Sequence, residues 1–173
     1  MKGVIFLCLS SLVKEKFGED KWEQIMTQSG LNPKMHVLST QDIDDTTVLN
    51  VVGNLCKVLN ITLPQAADAF GDYWVNEYAP KIYASFMRRA TNAKEMLLAM
   101  DNVHETVTKS VPNARPPRFD YIWENDNTLV MVYKSHRGLI DFLVGLVKGV
   151  GRYYNENLRV MKIADDRVKI YFE

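Results

Sequence analysis

Apolar side chains recur at intervals of three and four through roughly the first hundred residues, and long β-branched runs are few, which predicts helices. Val4, Leu7, Cys8 and Leu12 make one stripe, and Trp22, Ile25 and Met26 make a second that stops near Gly30, with Pro33 in the loop beyond. The stretch "STQDIDDTT" supplies helix-starting side chains ahead of Val48, Val51, Val52, Leu55 and Val58. Thr62 and Pro64 begin another helix whose face is Ala67, Phe70, Trp74 and Tyr78. A further helix is expected from about Asn92 to Lys109, ending before Pro112.

Beyond Pro112 the period changes. "RFDYIWENDNTLVMVYKS" reads as two strands around "ENDN", and "LRVMKIADDRVKIYFE" as a second hairpin turning at "ADD". Between them "LIDFLVGLVKGVGRYY" reads as a helix loosened by Gly145, Gly149 and Gly151. Helices first, then antiparallel hairpins with a helix between them, predict an α+β fold. With no linker, repeat or low-complexity tract, 1–173 is read as a single domain.

Composition narrows the function. The 173 residues are 47% hydrophobic, enough for a sizeable core, and 21 basic side chains balance 21 acidic ones. That balance argues against nucleic acid or a membrane surface as a partner held by general electrostatics. Cys8 and Cys56 stand alone in apolar segments, as free thiols of a reducing compartment do. The opening "MKGVIFLCLSSLV" lacks a small-x-small cleavage site and runs on into "KEKFGEDKWEQIM", unlike a secretory leader. A cytoplasmic, soluble chain is expected.

Two groups of residues stand out chemically. His104 projects from a helical stripe of Leu97, Met100, Val107 and Val111. Such a histidine is more often a satisfied core residue than a ligand, but a neutral imidazole in an apolar pocket is also a metal ligand. No second His or carboxylate stands at zinc or di-iron spacing, and one protein ligand suits an iron already held by a porphyrin. The second group is Tyr133, Ser135 and Arg137 in "MVYKSHRGL", at alternate positions of a strand end, where side chains share one face. Two hydroxyls and a guanidinium fork make a clamp for a carboxylate or phosphate, although a surface Arg beside ordinary strand hydroxyls has the same short pattern. Haem, a flat apolar ring with two carboxylate tails, needs both parts. "PNARPPRF" lies between them, and Pro116 and Pro117 make it rigid, either as a loop stiffener or as a wedge against the ring.

"MKG" at the start, "FGDYW", "MDNVHETVTKSVPNARPPRF" and "YKSHR" together resemble the haem-nitric oxide/oxygen binding (H-NOX) family, relatives of the haem domain of soluble guanylate cyclase, over nearly the whole chain. The resemblance implies haem b as cofactor, His104 as proximal iron ligand, Tyr133, Ser135 and Arg137 on the propionates, and Pro117 pressing on the porphyrin. It also implies a helical N-terminal part, and a C-terminal part in which an antiparallel sheet accompanies the His helix. In oxygen-binding members a distal Tyr donates to dioxygen; the matching position here is Phe142, which has no donor. The expectation is therefore a non-catalytic nitric oxide sensor that also takes carbon monoxide. Release of the His104–iron bond and relaxation of the ring would signal to a separate protein, such as a histidine kinase or diguanylate cyclase. Ile5 and Leu146 are expected to complete an apolar distal wall, or else to be plain core. Trp74 keeps an oxygen-binding sensor or carrier open, since its indole N–H can donate. A peroxidase-like haem enzyme and a haem-free packing module are the remaining alternatives; His36 and His136 carry no paired acid-base arrangement for the former.

Overall fold

The computed structural model describes all 173 residues, which divide into two compact units, 1–66 and 67–173. In the first, α1 (Gly3–Phe17), α2 (Glu19–Gln28) and α3 (Asp45–Leu59) pack in succession. Gly18, with φ of 100°, makes the corner between α1 and α2, a conformation open to glycine and strained for other residues. Asp44 caps α3 by accepting from the Thr46 N–H at 2.8 Å, as the helix-starting stretch predicts, and Asn60 ends it in the left-handed region. Trp22, Ile25 and Met26 are buried, as are Val48, Val51, Val52 and Leu55. The α1 stripe differs from the reading above. Phe6, Cys8, Leu9, Leu12 and Val13 are buried while Val4 and Leu7 are only partly covered, because a helix apolar on most sides lets packing choose its inner face.

The second unit begins within α4 (Leu63–Tyr73), which continues as a π-helical turn over Trp74–Tyr78. Trp74 and Tyr78 therefore depart from the α-helical face their spacing predicts. The widened turn stands just before Pro80, whose missing N–H interrupts the i→i−4 ladder. Two one-turn helices, α5 (Ala79–Ile82) and α6 (Ala84–Met87), lead to α7 (Ala93–Thr108). Val111 falls beyond the end of α7 and so leaves the His104 stripe. Strands β1 (Arg118–Asn125), β2 (Thr128–Lys134), β3 (Leu158–Ala164) and β4 (Arg167–Phe172) form one antiparallel sheet in the order β1-β2-β4-β3, with α8 (Ile140–Tyr153) between the hairpins in sequence. Phe119 and Tyr121 stand opposite Tyr133 and Met131, and this face joins Leu129, Val168 and Ile170 in a core shared with Leu97, Ile140 and Val147, while Trp123, opposite Leu129, stays exposed.

Helices α4 and α8 meet backbone to backbone. A Cβ on Gly71 would collide with the Gly145 carbonyl, one on Gly145 with that of Ala67, and one on Gly149 with that of Gly71. Gly145 and Gly149, two of the three glycines read from sequence as loosening α8, are what let it approach α4, and ion pairs Lys148–Asp68 (2.9 Å) and Arg152–Asp72 (2.5 Å) flank the crossing.

Candidate functional site

Helix α7 is fixed at its first turn. The Asn92 side chain accepts from the Glu95 N–H at 2.8 Å, Glu95 reaches back to the Thr91 N–H at 2.8 Å, and Glu156 accepts from the Ala93 N–H at 3.0 Å. This satisfies donors that would otherwise be orphaned and sets carboxylates at the positive end of the helix. Met96 and Leu97 are buried in the next turn, and His104 follows two turns on.

The His104 Nδ1 lies 2.9 Å from the Pro117 carbonyl oxygen. A carbonyl only accepts, so Nδ1 carries the proton and Nε2 keeps its lone pair. No protein group pairs with Nε2. Burial pulls the imidazole below its ordinary pKa, against the opposing pull of the Pro117 carbonyl and of Asp101, so the ring is neutral at pH 7. A neutral, oriented imidazole with one free nitrogen is what a metal requires of a histidine ligand.

The surroundings hold this ring rigidly. Asp101, one turn before His104, receives two hydrogen bonds from Arg118, Nε at 2.7 Å and Nη2 at 2.6 Å, and a third from the Phe119 N–H at 2.9 Å. Arg118 and the backbone N–H hold the Asp101 carboxyl down at about 2. Tyr121 donates to the Leu97 carbonyl at 2.9 Å and accepts from the Asp101 N–H at 3.3 Å; burial raises its phenol to about 12. Sequence reasoning missed Asp101, Arg118 and Tyr121. Asp101 was findable, since it sits three residues from His104 on one helical face.

The clamp is assembled differently from its expected geometry. Only Tyr133 belongs to β2, whereas Ser135 and Arg137 lie in the turn that follows, so strand alternation does not align them. A local turn gathers the last two instead: Ser135 Oγ accepts from the Arg137 N–H at 3.3 Å. The Arg137 guanidinium donates to the Arg115 carbonyl at 2.6 Å, which ties it to the same rigid segment that holds His104. Tyr133 is only 7% exposed, yet its hydroxyl makes no hydrogen bond within the protein. Since no sealed side-chain polar atom is left unpaired, that hydroxyl opens onto space where an acceptor can sit.

Trp74 is stacked between Phe70 (5.9 Å) and Tyr78 (5.6 Å), and its indole N–H has no protein partner. Phe142 meets Phe70 edge-on at 5.4 Å, and Leu146 packs on the core of the second unit. Ile5 is on α1 in the first unit, partly covered. Neither His36 nor His136 is drawn to His104; both are in irregular segments, and no cluster of His, Cys, Asp and Glu suited to a metal ion occurs.

A buried neutral imidazole with a free nitrogen, an unpaired phenol and a tethered guanidinium fit a metal-centred apolar ring with anionic tails. Fold and site together define an α+β domain of the haem-binding sensor class. Residues 2–162 match the Haem-NO-binding family model, and the chain belongs to that family, the H-NOX domains, haem-binding gas sensors related to soluble guanylate cyclase. Among its relatives are two soluble guanylate cyclases of Caenorhabditis elegans. Gcy-32 is 28% identical over 88% of this chain and 23% of its own length, and gcy-35 is 26% identical over 95% and 25%. The chain thus spans about a quarter of the curated relatives it matches. An unliganded iron(II) H-NOX variant from K. algicida superposes with TM-score 0.86 at 26% identity, covering 100% of this chain and 97% of that one. An oxygen-binding H-NOX domain in its oxygen complex gives 0.84 at 22% identity, covering 100% and 95%. No single helix is long and apolar enough to cross a membrane.

Proposed function

We propose that residues 1–173 work as one cytoplasmic haem b domain that senses nitric oxide in preference to oxygen and has no catalysis of its own. A bound haem would supply an iron that takes a diatomic gas. His104 would hold the iron through Nε2, with the Pro117 carbonyl fixing its tautomer. Tyr133, Ser135 and Arg137 would hold the propionates, and Pro117 would press on the ring. Trp74, Phe142 and Leu146 contribute the distal side.

The observation that carries the selectivity is Phe142, whose ring packs on Phe70 and offers no hydrogen to a gas ligand. Bound dioxygen gains negative charge and needs a donor, whereas nitric oxide and carbon monoxide need none. For the signal, His104 would leave the metal when nitric oxide binds, the pressure on Pro117 would relax, and α7 would shift. That is a local event acting on a two-state element. Its output is a partner such as a histidine kinase or a diguanylate cyclase.

The test is the visible spectrum of the reduced, haem-loaded protein without gas, in air and with nitric oxide. Expected is a ferrous spectrum unchanged by air and a five-coordinate nitrosyl spectrum with nitric oxide. A stable oxygenated spectrum in air overturns the selectivity and favours a second reading, an oxygen-binding sensor or carrier. The unpaired Trp74 N–H is the observation behind that reading. Oxygen dissociation rates of wild-type and W74F protein would then identify whether this donor is used, a faster release in W74F being the sign that it is.

A further inference from the structure

The π-helical turn bearing Trp74 and the helix bearing His104 are joined by a segment whose charge is unlike the rest of the molecule. Residues 78–94 carry Lys81, Arg88, Arg89 and Lys94 and no acidic residue, in a chain whose remaining 17 basic side chains face all 21 acidic ones. Lys81, Arg88 and Arg89 are exposed and have no carboxylate partner. Exposed Glu77 stands four residues before Lys81, while on the far side Glu95 and Glu156 are occupied by the N–H groups of Thr91 and Ala93, which leaves Arg88 and Arg89 as the strongest cationic pair.

At the middle of these charges is apolar surface. Ile82 is 47% exposed, Tyr83 and Phe86 are partly exposed, and Arg89 lies over the Phe86 ring at 5.3 Å. Burial alone raises the Tyr83 phenol, whose hydroxyl has no protein partner and whose ring leans on Trp74 at 6.4 Å. A small apolar centre rimmed by cations is the anatomy of a protein-docking patch.

Resting on the reading that this domain signals to a partner, we propose that Lys81–Arg89 is its output surface and takes an acidic, amphipathic segment of a partner protein. An apolar side chain of that segment covers Ile82 and Phe86, and its carboxylates pair with Lys81, Arg88 and Arg89. Charge complementarity selects this occupant. Lys94 is turned onto the Trp123 ring and the Asp126 carbonyl, and the three cations that remain fall below the roughly four to eight that hold an anionic bilayer, on a chain of zero net charge. Placement supports it too. Two single-turn helices broken at Tyr83 join the Trp74 turn to α7, so a partner seated there touches the strap that follows any shift of α7.

The experiment uses the haem-loaded chain and a fluorescein-labelled, 18-residue amphipathic peptide with a Leu/Phe stripe flanked by Glu, read by fluorescence polarisation. Expected is saturable binding that R88E/R89E and I82E each weaken by about tenfold or more. The control K16E/K34E, with the same charge change, leaves binding within about twofold, and the peptide with Lys in place of Glu does not bind. Circular dichroism and the haem spectrum confirm that each variant is folded. No saturable binding, or equal loss in the control, overturns the proposal. So does preferential binding of phosphatidylserine vesicles or duplex DNA through the same arginines. Failure to load haem strikes the proposed function instead, and peptide binding by the same folded chain still decides the surface.

Discussion

Asp101→Ala removes the group that joins the His helix to the sheet, and its cost can be worked from the contacts. Asp101 is 26% exposed and accepts from the Phe119 N–H at 2.9 Å and from both ends of the Arg118 fork. Arg118 faces solvent and can rehydrate, so it contributes little to the loss. The Phe119 amide belongs to a residue only 7% exposed, and leaving it unpaired costs about 1–2 kcal/mol. Water entering beside the deleted carboxylate favours the lower half of that range. Asp101→Asn keeps an acceptor of the same shape for the amide and should lose less than half as much. Urea unfolding followed by circular dichroism at pH 7 measures both, with the midpoint shifting and the slope unchanged. The pH dependence has a fixed sign. Folding lowers the carboxyl from its ordinary 3.8 to about 2, so its stabilisation is full above pH 4 and is lost as pH falls through that window. Loss below about 0.5 kcal/mol in the alanine variant, or an asparagine variant as unstable as alanine, would refute the account of Phe119 as the critical partner.

The remaining predictions concern packing, the clamp and the thiols. Gly145→Ala forces a methyl group into the Ala67 carbonyl and should lower the thermal midpoint more than Gly53→Ala, whose Cβ meets nothing within 4 Å; differential scanning fluorimetry compares them. Arg137→Gln removes the tether to the Arg115 carbonyl and the anion contact proposed for this side chain, so haem should transfer to apomyoglobin faster than from wild type by about tenfold, read by the Soret band. The Cys8 thiol, buried and raised to about 12, should react with a thiol reagent only on unfolding, while Cys56, partly exposed and less raised, reacts first; mass spectrometry of the native protein assigns the order.

Much of this molecule was legible where local rules and tertiary packing agree. The Asp44 cap, both hairpin turns and the limits of α7 follow from side chains acting within a few residues of themselves. His104 was legible because a titratable ring in an apolar stripe is unusual. The Ser135–Arg137 turn was not, since "YKSHR" continues a strand pattern and only the backbone bond to Ser135 bends it away. The inner face of α1 and the π turn at Trp74 were set by packing and by a proline farther along. The Asp101 network needed β1 brought beside α7, a long-range pairing with no local trace.

That network makes residues 115–119 the mechanical centre of the site. The Arg115 carbonyl holds the clamp arginine, the Pro117 carbonyl holds His104, and the Phe119 amide is held by Asp101. Three groups spaced by two residues therefore attach the Arg137 guanidinium, the His104 imidazole and the His helix to one piece of chain, stiffened by Pro116 and Pro117. A hinge there would let His104 move while Arg137 stayed put. A stiff segment passes the displacement on to both. Replacing Pro116 by Ala leaves all three anchoring groups in place and softens only what joins them. If stiffness carries the signal, nitric oxide should still produce its spectrum in P116A, while hydrogen exchange along α7 becomes uncoupled from exchange at Gly138 and Leu139 beside Arg137. Exchange that remains coupled in P116A would mean that the anchors alone transmit the motion.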